Sequence, residues 1–235
     1  MLWGRLGYDL TLDRDYFEKR LAHHFPKANT DLLYDTWAAA SQIVPLVNHF
    51  FFRVNDFQFS PEACNYNQGF LPVDQFFEHP PLKGSGILSV QEYAAAIIED
   101  KAFDGITPME VADNLDAMAK KTLQGIKRLS RKASKNKELR ATLTDAEAMA
   151  YLGRYYADKI RGAAELAVFR ADSQRKTNHQ RAVDHLTNAV EQWQAYTSVA
   201  TKQYRPQLFS RTHYMDWRKL LDDVKQEVEA VKKER

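Results

Sequence analysis

The chain of 235 residues has a single cysteine, which rules out an internal disulfide framework and any metal site built from several cysteines. It lacks an apolar run approaching the roughly 20 residues that span a bilayer. Its start, MLWGRLGYDL, lacks the charged opening and long apolar centre of a signal peptide. It also lacks an excess of one charge: 33 basic residues face 31 acidic ones, without the basic surplus of a nucleic-acid binder. There is no phosphate-binding glycine loop, no Gly-x-Ser-x-Gly elbow and no His-Glu-x-x-His zinc helix. No cofactor and no metal is therefore expected.

What is present is the composition of a folded domain. Hydrophobic residues make up 44%, and aromatics 12%, more than a disordered chain carries. Helix-start signals are explicit at four places: Ser89-x-x-Glu92, Thr107-x-x-Glu110, Thr144-x-x-Glu147 and Thr177-x-x-Gln180 each fit a capping box. Pro108 suits the first helical position after Thr107. Apolar residues then recur at three- and four-residue spacing. Val111, Leu115, Met118, Ile126 and Leu129 form one such stripe, and Met149, Leu152, Tyr156, Ile160, Ala163 and Ala167 a second. Val183, Leu186, Val190, Trp193 and Val199 form a third, and Trp217, Leu220, Leu221, Val224, Val228 and Val231 a fourth.

The N-terminal part reads as helical too. Asp13 or Thr11 can cap a helix that Pro26 ends, and a second helix should run from about residue 29 to Phe51 with a kink at Pro45. Between Phe52 and Leu88 the helical period is lost, and Pro61, Gly69, Pro72, Pro80, Pro81, Gly84 and Gly86 punctuate the segment. Long irregular segments inside compact domains are uncommon, and the aromatics here favour an ordered loop. The expected fold is all-α: an antiparallel bundle of long helices over residues 105–235. A smaller helical subdomain over 1–104, carrying the irregular loop 52–88, precedes it.

Chemistry concentrates in RVNDFQFSPEACNYNQGF, residues 53–70. Asp56 and Glu62 are candidate paired carboxylates; Gln58, Asn65 and Asn67 offer donors and acceptors, and Tyr66 a flat face. That mixture suits a polyhydroxylated ligand, whose hydroxyls need polar partners and whose ring faces need an apolar platform. Glycosidic cleavage by such a pair would need a separation of ~5 Å for retention or ~6.5–9.5 Å for inversion. The competing expectation is structural: aromatics plug the end of the bundle while the polar groups satisfy irregular backbone. Cys64 lacks any motif of a reactive thiol, and the seven histidines are scattered. Lys127–Arg140, with seven basic residues and one acid, falls where one helix should end and the next begin, where cations suit the helix dipole.

The stretches LWGRLGYD and DFQFSPEACNYN resemble a region near the C-terminus of large bacterial glycoside hydrolases of the family 67 α-glucuronidase type. GITPMEVADNLDAMA and ELRATLTDAEAMAYLGRYYADKIRGAAELAVF resemble the helical part that follows there. In such enzymes a (β/α)8 barrel carries the catalytic carboxylates, and an all-helical domain follows it. The resemblance implies a C-terminal accessory domain whose partner is the catalytic barrel of the same parent chain, with oligosaccharide as a further contact. It implies a secreted or periplasmic parent, and a Met1 that is not the native start. No barrel motif exists here onto which the family's catalytic residues map, so none is assigned. The alternative from the residues alone is a helical protein-interaction module, marked by an open groove at Trp193 and Trp217. A third reading is a small stand-alone hydrolase using Asp56 and Glu62. Neither nucleic acid nor membrane is expected as a partner.

Overall fold

The computed structural model describes residues 9, 11–52, 59–66, 69–133, 136–209 and 213–234. Among them the chain forms helices α1 (Arg14–His24), α2 (Thr30–Ser41), α3 (Ile43–Phe50), α4 (Gln75–Glu78), α5 (Val90–Ile98), α6 (Pro108–Ala133), α7 (Lys137–Ala171), α8 (Lys176–Ala200) and α9 (Leu220–Lys232). A 3₁₀ turn spans Pro61–Ala63, and two small antiparallel hairpins join β1 (Asn65–Tyr66) to β2 (Gly69–Phe70) and β3 (Gln207–Phe209) to β4 (His213–Met215). The fold is all-α, as expected from the periodicity. No helix among the described residues is long and apolar enough to cross a membrane.

The 35-residue α7 is the axis of the assembly. It packs along α6 on one side and α8 on the other, and α9 closes against α8. From Leu152 to Phe169 it is buried on nearly every side, because small residues at Ala157, Gly162, Ala163, Ala164 and Ala167 let neighbours approach closely. Gly162 shows how close: a Cβ there would lie 2.8 Å from Leu186 Cγ of α8. The main core runs from Ile43 to Val231 and includes Phe50, Phe51, Leu115, Tyr155, Trp193 and Trp217. A smaller cluster, Phe25, Leu33, Leu129, Leu139 and Leu143, packs where α1 and α2 meet the far ends of α6 and α7.

Two of the four expected capping boxes form. Glu92 N–H donates to Ser89 Oγ at 3.1 Å, and Ser89 N–H to the Glu92 carboxylate at 2.8 Å. Thr107 and Glu110 repeat that exchange at 3.2 and 2.8 Å. The other two do not form. Thr144 sits inside α7 and bonds back to Arg140 O at 3.0 Å, because Asn136 starts the helix earlier by accepting from Leu139 N–H. Thr177 likewise falls inside α8, whose start has no side-chain cap. The expected continuous helix kinked at Pro45 is two helices, broken at Gln42. Pro45 offers no amide hydrogen to the carbonyl of Ser41 and its ring crowds that group, so the ladder cannot cross the junction.

Candidate functional site

The turn after the undescribed residues 53–58 is fixed from several directions. Within it, Ser60 and Asn65 exchange backbone bonds at 2.9 and 3.2 Å, and Cys64 takes a left-handed conformation at φ 42°. A non-glycine residue rarely adopts that conformation unless its surroundings hold it. The bundle supplies the hold. Tyr156 donates its hydroxyl to Pro61 O at 2.9 Å, and the Cys64 thiol lies 3.0 Å from the Tyr155 hydroxyl. Tyr196 donates to Glu62 O at 2.7 Å, and Trp217 Nε1 donates to the same carbonyl at 3.0 Å. Burial pushes the Cys64 thiol above its ordinary pKa and leaves no exposed sulfur, so it is a structural thiol rather than a nucleophile.

The sequence-derived candidates separate under this geometry. Asp56, Gln58 and Asn67 lie outside the described residues. Asn65 is 4% exposed, with its amide directed at Met215 Sδ, 3.7 Å away. Tyr66 is 8% exposed, and its ring packs edge-on against Phe51 and His79 at 5.6 and 5.4 Å. Those rings belong to an aromatic cluster with Phe59 and Phe76. Of the three described candidates, Glu62 lines an open cleft. Its backbone carbonyl is held by two donors, yet among the described residues nothing donates to its carboxylate.

That cleft has a volume of about 250 Å³. Glu62 and Tyr196 line one side, Asp145, Met149 and Leu152 of α7 another, and Tyr204, Gln207 and Trp217 a third. Asp145 Oδ1 accepts from Gln203 Nε2 at 2.6 Å and from the Tyr204 hydroxyl at 2.7 Å. Donating to that carboxylate pushes the Tyr204 pKa up to about 12. The rings of Tyr204 and Trp217 lie 6.5 Å apart, tilted by 39°. Tyr204 is exposed, whereas Trp217 is buried beneath it. Met149, placed in a core stripe by its spacing, is instead 37% exposed at this cleft. Beside it, the β3–β4 hairpin pairs Leu208 with Tyr214 across the strands, both well exposed. The cleft thus combines two carboxylates, an amide and an exposed ring, and no cation lines it among the described residues.

A second cleft, about 620 Å³, opens between α1, α2 and the start of α7. Phe17, Leu21, Phe25, Tyr34 and Trp37 form its apolar walls. At its rim His24 Nε2 meets both carboxylate oxygens of Glu138 at 2.9 Å. Trp37 Nε1 is buried and has no hydrogen-bond partner among the described residues. Among those residues no group of three or more histidine, cysteine or acidic side chains is placed to hold a metal ion.

No known family profile and no curated protein matches the chain. Among solved structures, its fold matches that of a GH138 enzyme targeting pectin rhamnogalacturonan II. The TM-score is 0.78 at 15% sequence identity, over 98% of this chain and 36% of that one. At that identity the likeness establishes the fold alone, one shared with part of a glycoside hydrolase. It supplies no link to the family 67 type. The chain spans about a third of the length of the enzyme it matches.

Proposed function

We propose that this chain is the non-catalytic C-terminal accessory domain of a secreted or periplasmic, polysaccharide-processing glycoside hydrolase. It packs on the catalytic barrel of the same parent chain and lends a wall to the carbohydrate cleft. One observation carries the carbohydrate contact: four bundle side chains fix the turn at Pro61–Cys64, while the Glu62 carboxylate that this turn presents pairs with none of the described residues. Such pinning positions a group for use beyond the fold itself. The likeness to the pectin-targeting enzyme supports the parent class, since the match covers one part of a longer glycoside hydrolase. The face assigned to the barrel is the apolar cleft at Phe17, Tyr34 and Trp37, on the first two helices. The family 67 α-glucuronidase type is the proposed relative of the parent on the residue resemblance alone.

The protein-interaction alternative loses its expected groove, because Trp193 and Trp217 are 0% and 3% exposed. It keeps one observation in its favour, the outward-facing pair Leu208 and Tyr214 at 76% and 66% exposure. The deciding experiment assays the isolated chain on aryl glycosides and on acidic oligosaccharides from xylan. No turnover is expected. Hydrolysis abolished by Glu62→Gln would overturn the accessory reading in favour of a stand-alone hydrolase.

A further inference from the structure

We infer that the cleft at Glu62 is a subsite for one neutral pyranose ring, and that it turns uronates away. The inference rests on the carbohydrate reading above and names the ligand class of that site.

Size sets the first limit. At about 250 Å³ the cleft falls below the ~300–1,000 Å³ of pockets that enclose drug-sized molecules, so it has room for one ring and not for a chain segment. The lining sets the second. A pyranose presents hydroxyl donors around its edge and C–H groups on its faces. The Glu62 carboxylate is an acceptor without a donor among the described residues, and only one oxygen of Asp145 is engaged, by Gln203 and Tyr204. Gln207 adds an amide, and the exposed Tyr204 ring offers a face beside Met149. Hydrogen bonds from hydroxyl to carboxylate are charge-assisted and stronger than neutral ones.

Charge sets the third limit. The two lining groups that carry charge at neutral pH are carboxylates, and no lysine, arginine or histidine accompanies them among the described lining residues. A uronate in this cleft would bring a third negative charge within a few ångströms of two others, a like-charge contact that weakens binding by about tenfold or more. Tyr204 does not offset this. Its proton is committed to Asp145, and with its pKa up at about 12 it stays protonated in that bond.

The test is a titration of the isolated chain, followed by backbone amide chemical shifts. The probes are methyl α-L-rhamnopyranoside, methyl α-D-galactopyranoside, galacturonate and putrescine. A neutral glycoside is expected to shift amides at 60–66 and 203–208, with galacturonate at least about tenfold weaker. Glu62→Gln should weaken the neutral sugar several-fold and narrow the gap to galacturonate. It leaves the folded spectrum otherwise unchanged, because that carboxylate holds no structural bond among the described residues. Galacturonate binding as tightly as the neutral sugars would overturn the inference. So would putrescine alone shifting these amides, which would make the cleft a cation site. Absence of any shift would also overturn it, while the accessory-domain reading would still stand or fall on the hydrolysis assay.

Discussion

Lys159 places its ammonium 2.7 Å from both carboxylate oxygens of Glu227; the lysine side chain is fully buried and the glutamate side chain 4% exposed. The pair ties α7 to α9 through the middle of the core. Glu227 also accepts from Val73 N–H at 2.5 Å, and the ammonium lies 4.5 Å from the centre of the Phe70 ring. Burial pushes the Glu227 pKa up, against the pull of Lys159. Taking both charges out of water is costly, so the pair adds less net stability than its geometry suggests; losing one member strands the other. Lys159→Met or Glu227→Gln should each cost about 3–5 kcal/mol in urea unfolding. The double variant should cost clearly less than the sum of the two. A fully additive pair would mean that the two groups do not interact.

Gly125 of α6 crosses α2 at Thr36, where a Cβ would lie 2.0 Å from Thr36 Oγ1. Helix propensity favours alanine over glycine by about 1 kcal/mol. The crossing should reverse that sign, because overpacking a close contact costs about 1–3 kcal/mol. Gly125→Ala is therefore expected to lower stability. Thr36→Ala introduced with it should restore part of the loss by removing the hydroxyl that clashes. A thermal melt that places Gly125→Ala above the wild type would refute this account of the crossing.

The capping box at Thr107 makes stability at the start of α6 depend on pH. The backbone amide and hydroxyl of Thr107 both donate to Glu110, and these bonds hold its pKa below the ordinary glutamate value. The folded pKa is depressed, so the contribution is complete above the unfolded pKa and fades as pH falls through the folded one. Glu110→Gln should therefore be less stable than wild type at pH 7, with the gap closing toward pH 3. A gap that widens in acid would show that the carboxylate is not the acceptor that matters.

How far these features were legible in the sequence varies with their range. Ser89 and Thr107 announced their helices because a capping box is local, complete within four residues. The same signature at Thr144 misled because the preceding run KNKELR, read as a charged connection, already holds the true cap Asn136. Helices continue through a Thr-x-x-Glu spacing whenever an earlier cap has started them. Glu62 stood out as a carboxylate in an irregular segment, but the rest of its cleft did not. Asp145, Tyr204 and Trp217 sit on three separate stretches and meet Glu62 only through the packing of α7, α8 and the β3–β4 hairpin. Tyr66 carried the signal of a binding ring, and the structure packs it among Phe51 and His79 instead. Composition identifies a ring without telling which way it faces.

The carbonyl of Glu62 offers a test of the turn that needs no ligand. Tyr196 and Trp217 both donate to it, from α8 and from the segment before α9. Tyr196→Phe removes one donor and leaves the other, so the carbonyl stays paired and the loss should be about 1 kcal/mol. Trp217→Phe removes the other donor and also trims a buried ring, so its loss should be larger, about 1–3 kcal/mol. In the double variant both donors are gone. A buried acceptor stripped of its partners costs about 1–3 kcal/mol in lost solvation. The combined loss in urea unfolding should therefore exceed the sum of the single losses, by on the order of 1 kcal/mol. A strictly additive result would mean that water replaces the missing donors. The carbonyl would then be wet, and the Glu62 turn would be held by Tyr155 and Tyr156 rather than by these two bonds.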